Sequence, residues 1–169
     1  MLRQTKDMYG VFYIRLSRKK AEQIYMPDST FEIGKANTLR EGNDATIVAS
    51  GICVSDACRV ADKLADEGIH VRVLDMFTIK PIDKDAIIKA SKETGAIVTV
   101  ENHNILNGLG SAVAEVLSEE APCRMKRLGV PDRFGEVGTI PFLKEKYHMT
   151  EKDIEEAVKS LISKKDVIA

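Results

Sequence analysis

Between about residues 45 and 129, short β-branched runs alternate with stretches of helical periodicity. Ala45-Thr46-Ile47-Val48-Ala49-Ser50 reads as a buried strand that stops at Gly51. From Cys53 to Glu67, the apolar positions Val54, Ala57, Cys58, Ala61, Leu64 and Ala65 recur on one helical face, and Gly68 supplies the stop. Ile69 to Leu74 alternates as a second strand. After the break at Lys80-Pro81-Ile82, Asp83 is placed to cap a helix through about Thr94, with Ala86, Ile87 and Ala90 inward and Gly95 closing it. Ala96 to Val100 is a third strand. A polar loop, Glu101 to Gly108, then leads into a helix over Leu109 to Glu119, with Ala112, Val113, Val116 and Leu117 as its stripe. Arg124 to Val130 reads as a fourth strand. The final helix follows Thr150, which forms a capping box with Asp153.

Strand, helix, strand, helix at this spacing predicts parallel crossovers and a sheet covered on both faces. The fold class is α/β: a three-layer αβα sandwich with a mostly parallel, Rossmann-like sheet. Residues 1–44 fit this unit less well. Val11-Phe12-Tyr13-Ile14-Arg15-Leu16 is strongly strand-forming but has no helix of its own, and a lone strand needs a partner for its backbone groups. Phe31 to Arg40 is expected to form a short ribbon turning at Gly34. The chain therefore divides into residues 1–25, expected to be the end of a preceding domain; 26–44, a connecting segment; and 45–165, the α/β domain.

Composition narrows the classes. The 169 residues carry Lys+Arg 25 against Asp+Glu 26, a formal charge of -1, which supplies no global pull on nucleic acid or an anionic membrane. No apolar run approaches the roughly 18 to 20 residues of a membrane span, and the N-terminus lacks the pattern of a secretory signal. Cys53, Cys58 and Cys123 show no metal-type spacing, so the expected setting is a reducing cytoplasm without a metal site.

Three features carry candidate chemistry. The loop Asn102 to Ser111 lies between a strand and a helix, where open sheets bind ligands. Gly108 and Gly110 there either let an anion approach the helix start or permit close packing; the stretch lacks the third glycine of a dinucleotide fingerprint. His103, beside Glu101, is a candidate acid/base or interface residue, with a plain structural hydrogen bond as the alternative. Arg18, in the run Ser17-Arg18-Lys19-Lys20 after the first strand, is either a grip for an anionic substrate or part of a solvated surface. Asp132 and Glu136, near Gly135 and Gly138, are explained equally well by turn chemistry.

Four stretches in this order resemble the C-terminal domain of transketolases: Thr46-Ile47-Val48-Ala49-Ser50-Gly51; Asp75 to Ile82; Glu101-Asn102-His103 with Gly108 to Glu115; and Gly129 to Gly135. Similar domains close 1-deoxyxylulose-5-phosphate synthases and the β-subunits of 2-oxoacid dehydrogenases. Tyr13-Ile14-Arg15-Leu16-Ser17-Arg18 resembles the last strand of the pyrimidine-binding domain that precedes the C-terminal domain. In transketolases an Arg after Leu-Ser contacts the sugar phosphate, and Arg18 matches it; the relatives tend to read Tyr-Pro-Arg.

The resemblance implies a cytoplasmic transferase of the pentose phosphate pathway that moves a two-carbon ketol unit between sugar phosphates using thiamine diphosphate and Mg²⁺. It also implies a homodimer and an N-terminal partner portion, since the Gly-Asp-Gly cofactor motif is absent here. The 169 residues alone are expected to be inactive and to bind no cofactor. A free-standing anion- or nucleotide-binding module is the rival reading.

Overall fold

The computed structural model describes residues 1–18 and 21–163. Lys19 and Lys20 of the basic run, and the last residues of the expected domain, lie outside the described residues. A short helix, α1 (Leu2–Thr5), opens the chain. Strand β1 (Asn37–Arg40) and strand β2 (Ala45–Ala49) come next, then α2 (Cys53–Asp66), β3 (Val71–Asp75), α3 (Lys84–Thr94) and β4 (Ala96–Asn104). The chain continues through α4 (Leu109–Glu120), β5 (Arg124–Val130), α5 (Ile140–Lys146) and α6 (Glu151–Ser163).

One five-stranded sheet runs in the order β1-β3-β2-β4-β5. The last four of these strands pair in parallel, and β1 lies antiparallel on the β3 edge, with Asn37 opposite Asp75. Strand alternation sorts side chains to two faces. Ile47, Val98 and Val100 join the face covered by α2 and α6, where Leu64, Ile154 and Val158 are buried. Val48 and Ile97 point the other way, into the layer of α3 and α4 built from Ile87, Leu109 and Val113. Two packed layers on one sheet make the three-layer α/β sandwich that the periodicity predicts. Its stripes are slightly narrower than expected, because Ala65 is exposed and Ala112 only half-buried.

The caps behave as their residue types require. Asp83 Oδ1 accepts from Ala86 N at 3.0 Å, satisfying an orphan donor of α3, and Gly95 ends that helix at φ 62. Asp83 Oδ2 also accepts from Ala36 N at 2.9 Å, which ties the connecting segment to α3. Thr150 and Asp153 form the reciprocal box, with Thr150 N donating to Asp153 Oδ2 at 2.8 Å and Asp153 N to Thr150 Oγ1 at 3.3 Å.

Besides the short helix α1, the structure differs from the sequence expectation in four places. Residues 11–16 form no strand; they run as irregular exposed chain, with Val11 102%, Tyr13 88% and Leu16 78% accessible. β-propensity describes fit to a neighbouring strand, and among the described residues none pairs with that segment. The ribbon over 31–40 is instead a turn near Gly34 followed by β1, which pairs with the open edge of β3. The connecting segment thus contributes the sheet's edge strand, β1.

The third difference is in β4, which extends through Asn104, so Glu101, Asn102 and His103 belong to a strand rather than a loop. The fourth is α5, which the hydrophobic pattern missed; Thr139 caps it through Phe142 N, and Pro141 sits in its first turn.

Candidate functional site

The sequence-predicted loop sits at the carboxyl end of β4. Glu101 is the last fully buried residue of that strand, 1% exposed, and its side chain reaches under the start of α4. Leu109 N donates to Glu101 Oε2 at 2.7 Å and Gly110 N donates to Glu101 Oε1 at 2.8 Å. The helix terminus that an external anion would need already holds an internal carboxylate, favourably placed at the positive end of the helix dipole.

The glycines exist for that carboxylate and its surroundings. A Cβ on Gly108 would lie 2.0 Å from Glu101 Oε2, and one on Gly110 would lie 2.9 Å from both Thr99 Oγ1 and Arg127 Cδ. On the neighbouring strand, a Cβ on Gly129 would lie 3.3 Å from Glu101 Cγ. Of the two readings open for Gly108 and Gly110, close packing is therefore the one with a physical basis here. Sequence reasoning passed over Glu101 as a mere neighbour of His103, although an acidic residue ending a strand before a Gly-x-Gly helix start was the signal.

His103 is exposed, and its Nδ1 lies 3.1 Å from Asn104 O. Its neighbour Glu101 offers it no hydrogen bond here, both carboxylate oxygens accepting from the start of α4. Asn104 Nδ2 donates to Asp132 Oδ1 at 3.1 Å and Asn104 Oδ1 accepts from Leu106 N at 2.8 Å, so Asp132 pins the loop after β5 to the end of β4. Glu136 pairs with Lys146 of α5.

Arg18 is exposed at the end of the arm formed by residues 9–18. The arm crosses the carboxyl end of β4, where Arg15 Nη2 donates to Asn102 O at 2.9 Å. Beyond the arm, Glu22 pairs with Arg59 on α2. Tyr25 OH then donates to Asp75 Oδ2 at 2.6 Å at the end of β3, and Asn37 Nδ2 donates to the Tyr25 oxygen at 3.4 Å. The Tyr25 ring packs edge-on to Phe31, and Phe31 edge-on to Phe77. Burial, followed by the Asp75 hydrogen bond, pushes the Tyr25 phenol above its ordinary value. Burial also raises the Asp75 carboxyl, while the Tyr25 hydrogen bond opposes that rise.

Burial pushes the Cys53 thiol up to about 12, and burial raises Cys58 as well, so neither is an activated nucleophile. Among the described residues there is no group of three or more His, Cys, Asp and Glu able to hold a metal ion. No described helix is long and apolar enough to cross a membrane.

Residues 34–154 match the family model described as "Transketolase, C-terminal domain". The chain belongs to this family. It is 45% identical over 157 residues to a 6-deoxy-6-sulfo-D-fructose transketolase subunit of Clostridium sp. (strain MSTE9), covering 93% of this chain and 49% of the relative. A 1-deoxy-D-xylulose-5-phosphate synthase of Heliobacterium modesticaldum is 37% identical over 164 residues, covering 95% of this chain and 25% of that protein. A solved structure described as "Split gene transketolase, inactive beta4 tetramer" superposes with a TM-score of 0.91 at 44% identity, over 96% of this chain and 53% of that one. The chain thus spans about half the length of the sulfofructose transketolase subunit and of the split-gene chain, and a quarter of the synthase.

A thiamine diphosphate and Mg²⁺ site does not fit the described residues. The two N–H groups at the start of α4 that would cradle a diphosphate are taken by Glu101, and no group of three or more His, Cys, Asp and Glu among those residues is placed to hold a metal ion.

Proposed function

We propose that this chain is the C-terminal portion of a transketolase that moves a two-carbon ketol unit between sugar phosphates. In this reading the cofactor resides on an N-terminal partner portion, and the complete enzyme is a cytoplasmic homodimer of the pentose phosphate pathway. The carbanion chemistry belongs to that cofactor. The observation that supports the reading most is the superposition of 96% of this chain on about half (53%) of the split-gene transketolase chain. The α/β domain serves as an assembly platform, and residues 1–25 complete the preceding domain, with the exposed strand-forming arm 11–16 pairing there.

Arg18 is the chain's contribution to substrate binding: a guanidinium gripping the sugar phosphate through charge-assisted hydrogen bonds. His103 stands at an exposed point on the same end of the sheet and is assigned to an interface rather than to acid/base work. Isolated, the chain has no ketol-transfer activity.

The test is Arg18→Ala in the enzyme assembled with its cofactor-binding partner. KM for phosphorylated substrates is expected to rise with kcat nearly unchanged, the pattern of a contact made equally in the ground and transition states. An unchanged KM returns Arg18 to the solvated surface. The similarity to the synthase supports a second reading, a deoxyxylulose phosphate synthase section; product analysis of the assembled enzyme separates the two.

A further inference from the structure

Past Met26, the exposed large hydrophobic residues among the described ones are Ile79, Leu106, Phe134, Val137 and Phe142. Single exposed apolar residues are ordinary, but these share one end of the domain. Ile79 follows β3, Leu106 follows β4, and Phe134 and Val137 follow β5, so they lie where the parallel strands have their carboxyl ends. Phe142 is on α5, which Lys144 ties to Asp56 in the first turn of α2, at the same end. At the opposite end, the turns before β2 and β3 are joined by polar contacts. There His70 N donates to Asp44 Oδ2 at 2.7 Å, and Asp44 N donates to His70 O at 3.0 Å.

Phe134 and Val137 are 100% and 98% accessible, yet their loop is held on both sides of the ring. Two residues before Phe134, Asp132 Oδ1 accepts from Asn104 Nδ2 at 3.1 Å; two residues after it, Glu136 pairs with Lys146 of α5. A loop fixed in this way loses little freedom on binding, which makes the exposed ring a preformed anchor. The charges around it are one-sided. In the connections after β3, β4 and β5, the carboxylates Asp83, Asp132 and Glu136 are all bonded within the chain. Lys80 and Arg133 are exposed and have no acidic partner among the described residues.

We propose that the carboxyl end of the sheet, centred on Phe134 and Val137 and flanked by Lys80 and Arg133, is the surface that binds the cofactor-bearing partner portion. Its counterpart is an apolar patch bordered by carboxylates. The proposal rests on the reading of this chain as a transketolase portion. Two observations select that occupant. Tyr25 is bonded to Asp75 at the carboxyl end of β3, so the residues assigned to the preceding domain reach the α/β domain at this end. A second copy would set the cationic border against itself, since a two-fold contact uses one patch twice.

The test measures binding of the 169-residue chain to the N-terminal half of a split transketolase from the same genome, by sedimentation and by association kinetics. Phe134→Ser combined with Val137→Ser should weaken the complex by about tenfold or more, the scale of a truncated interface anchor. Both side chains are open to solvent, so the urea midpoint of the free chain should stay put. Arg133→Glu should slow association at low salt and less so at high salt. Lys92→Glu, in the last turn of α3 at the other end of the domain, should do neither.

If the double variant binds like wild type while the wild-type combination turns over substrate, the docking proposal is overturned and the function stands. Association of Arg133→Glu at the wild-type rate overturns the acidic border. If the wild-type chain self-associates and the double variant is monomeric with partner binding unimpaired, the surface joins two copies and the proposal is again overturned. If the two wild-type halves are folded but do not bind, the transketolase reading fails and the docking proposal falls with it.

Discussion

Gly108 and Glu101 are fitted to one another: a Cβ on Gly108 would sit 2.0 Å from Glu101 Oε2, inside the space the buried carboxylate occupies. The strand-to-helix turn of this domain is therefore closed by its own acidic residue. Gly108→Ala should destabilise the chain by about 1–3 kcal/mol, since the carboxylate is held on both oxygens and has little room to yield. Glu101→Ala should cost about 2–4 kcal/mol, leaving the Leu109 and Gly110 N–H groups without their acceptor beside a cavity. Glu101→Gln, which keeps the shape and one acceptor, should fall between wild type and Glu101→Ala. Urea unfolding of the three variants checks the order.

The same contact bears on ligands. With those two donors occupied, adenine nucleotides and inorganic phosphate should leave the melting temperature of the chain unchanged. A thermal shift with any nucleotide that disappears in Gly110→Val would revive the free-standing binding module.

Tyr25 and Asp75 make a second testable pair. Tyr25→Phe keeps the ring contact with Phe31 but removes the 2.6 Å hydrogen bond, leaving Asp75 in a largely buried site without that donor. A loss of about 1–3 kcal/mol is expected in thermal or urea melts. Asp75→Asn should be neutral or stabilising at pH 7, because it removes a buried charge and retains an acceptor. Its effect should fade in acid, where Asp75 is itself protonated.

The pH dependence follows from the directions of the shifts. Hydrogen bonds from Lys159 and then Lys63 draw the Glu155 carboxyl down to about 2, and the Arg40 hydrogen bond lowers Asp62. A carboxyl lowered in the folded state stabilises above its unfolded value, and that stability is lost as pH falls through the folded one. For Glu155 the window runs from its ordinary 4.5 down to about 2. Asp75, raised by burial, works in the opposite sense: its contribution is present below its ordinary value of 3.8 and lost as pH rises through the folded value. Melting temperature should therefore fall on acidification through the Glu155 window. Glu155→Gln should flatten that fall, and Asp75→Asn should not.

How much of this was legible in the sequence depends on whether a residue's partner was local. Asp83 with Ala86, and Thr150 with Asp153, are three residues apart, and their caps could be read directly. Strands β2 and β4 were legible because their cores are buried on both faces and so read as continuous β-branched runs, whereas the edge strand β1, half exposed, was not. The arm 11–16 shows the converse: its composition is that of a strand, but a strand is a relationship with a second segment, and among the described residues none pairs with it. Helix α5 shows its cap and Pro141 but buries no residue fully, so it left no apolar stripe to detect. At the candidate site, the glycines were visible and the carboxylate they accommodate was not. Glu101 lies eight residues before Leu109, across a turn whose geometry periodicity does not describe.

The most direct measurement is ketol transfer from xylulose 5-phosphate to ribose 5-phosphate, assayed with thiamine diphosphate and Mg²⁺, for this chain alone and for the chain combined with the N-terminal half of a split transketolase from the same genome. The expected result is no turnover by the chain alone and turnover that rises to saturation as the partner is added. Turnover by the purified 169-residue chain, or none from the combination when both halves are folded and bound to each other, would contradict the assignment.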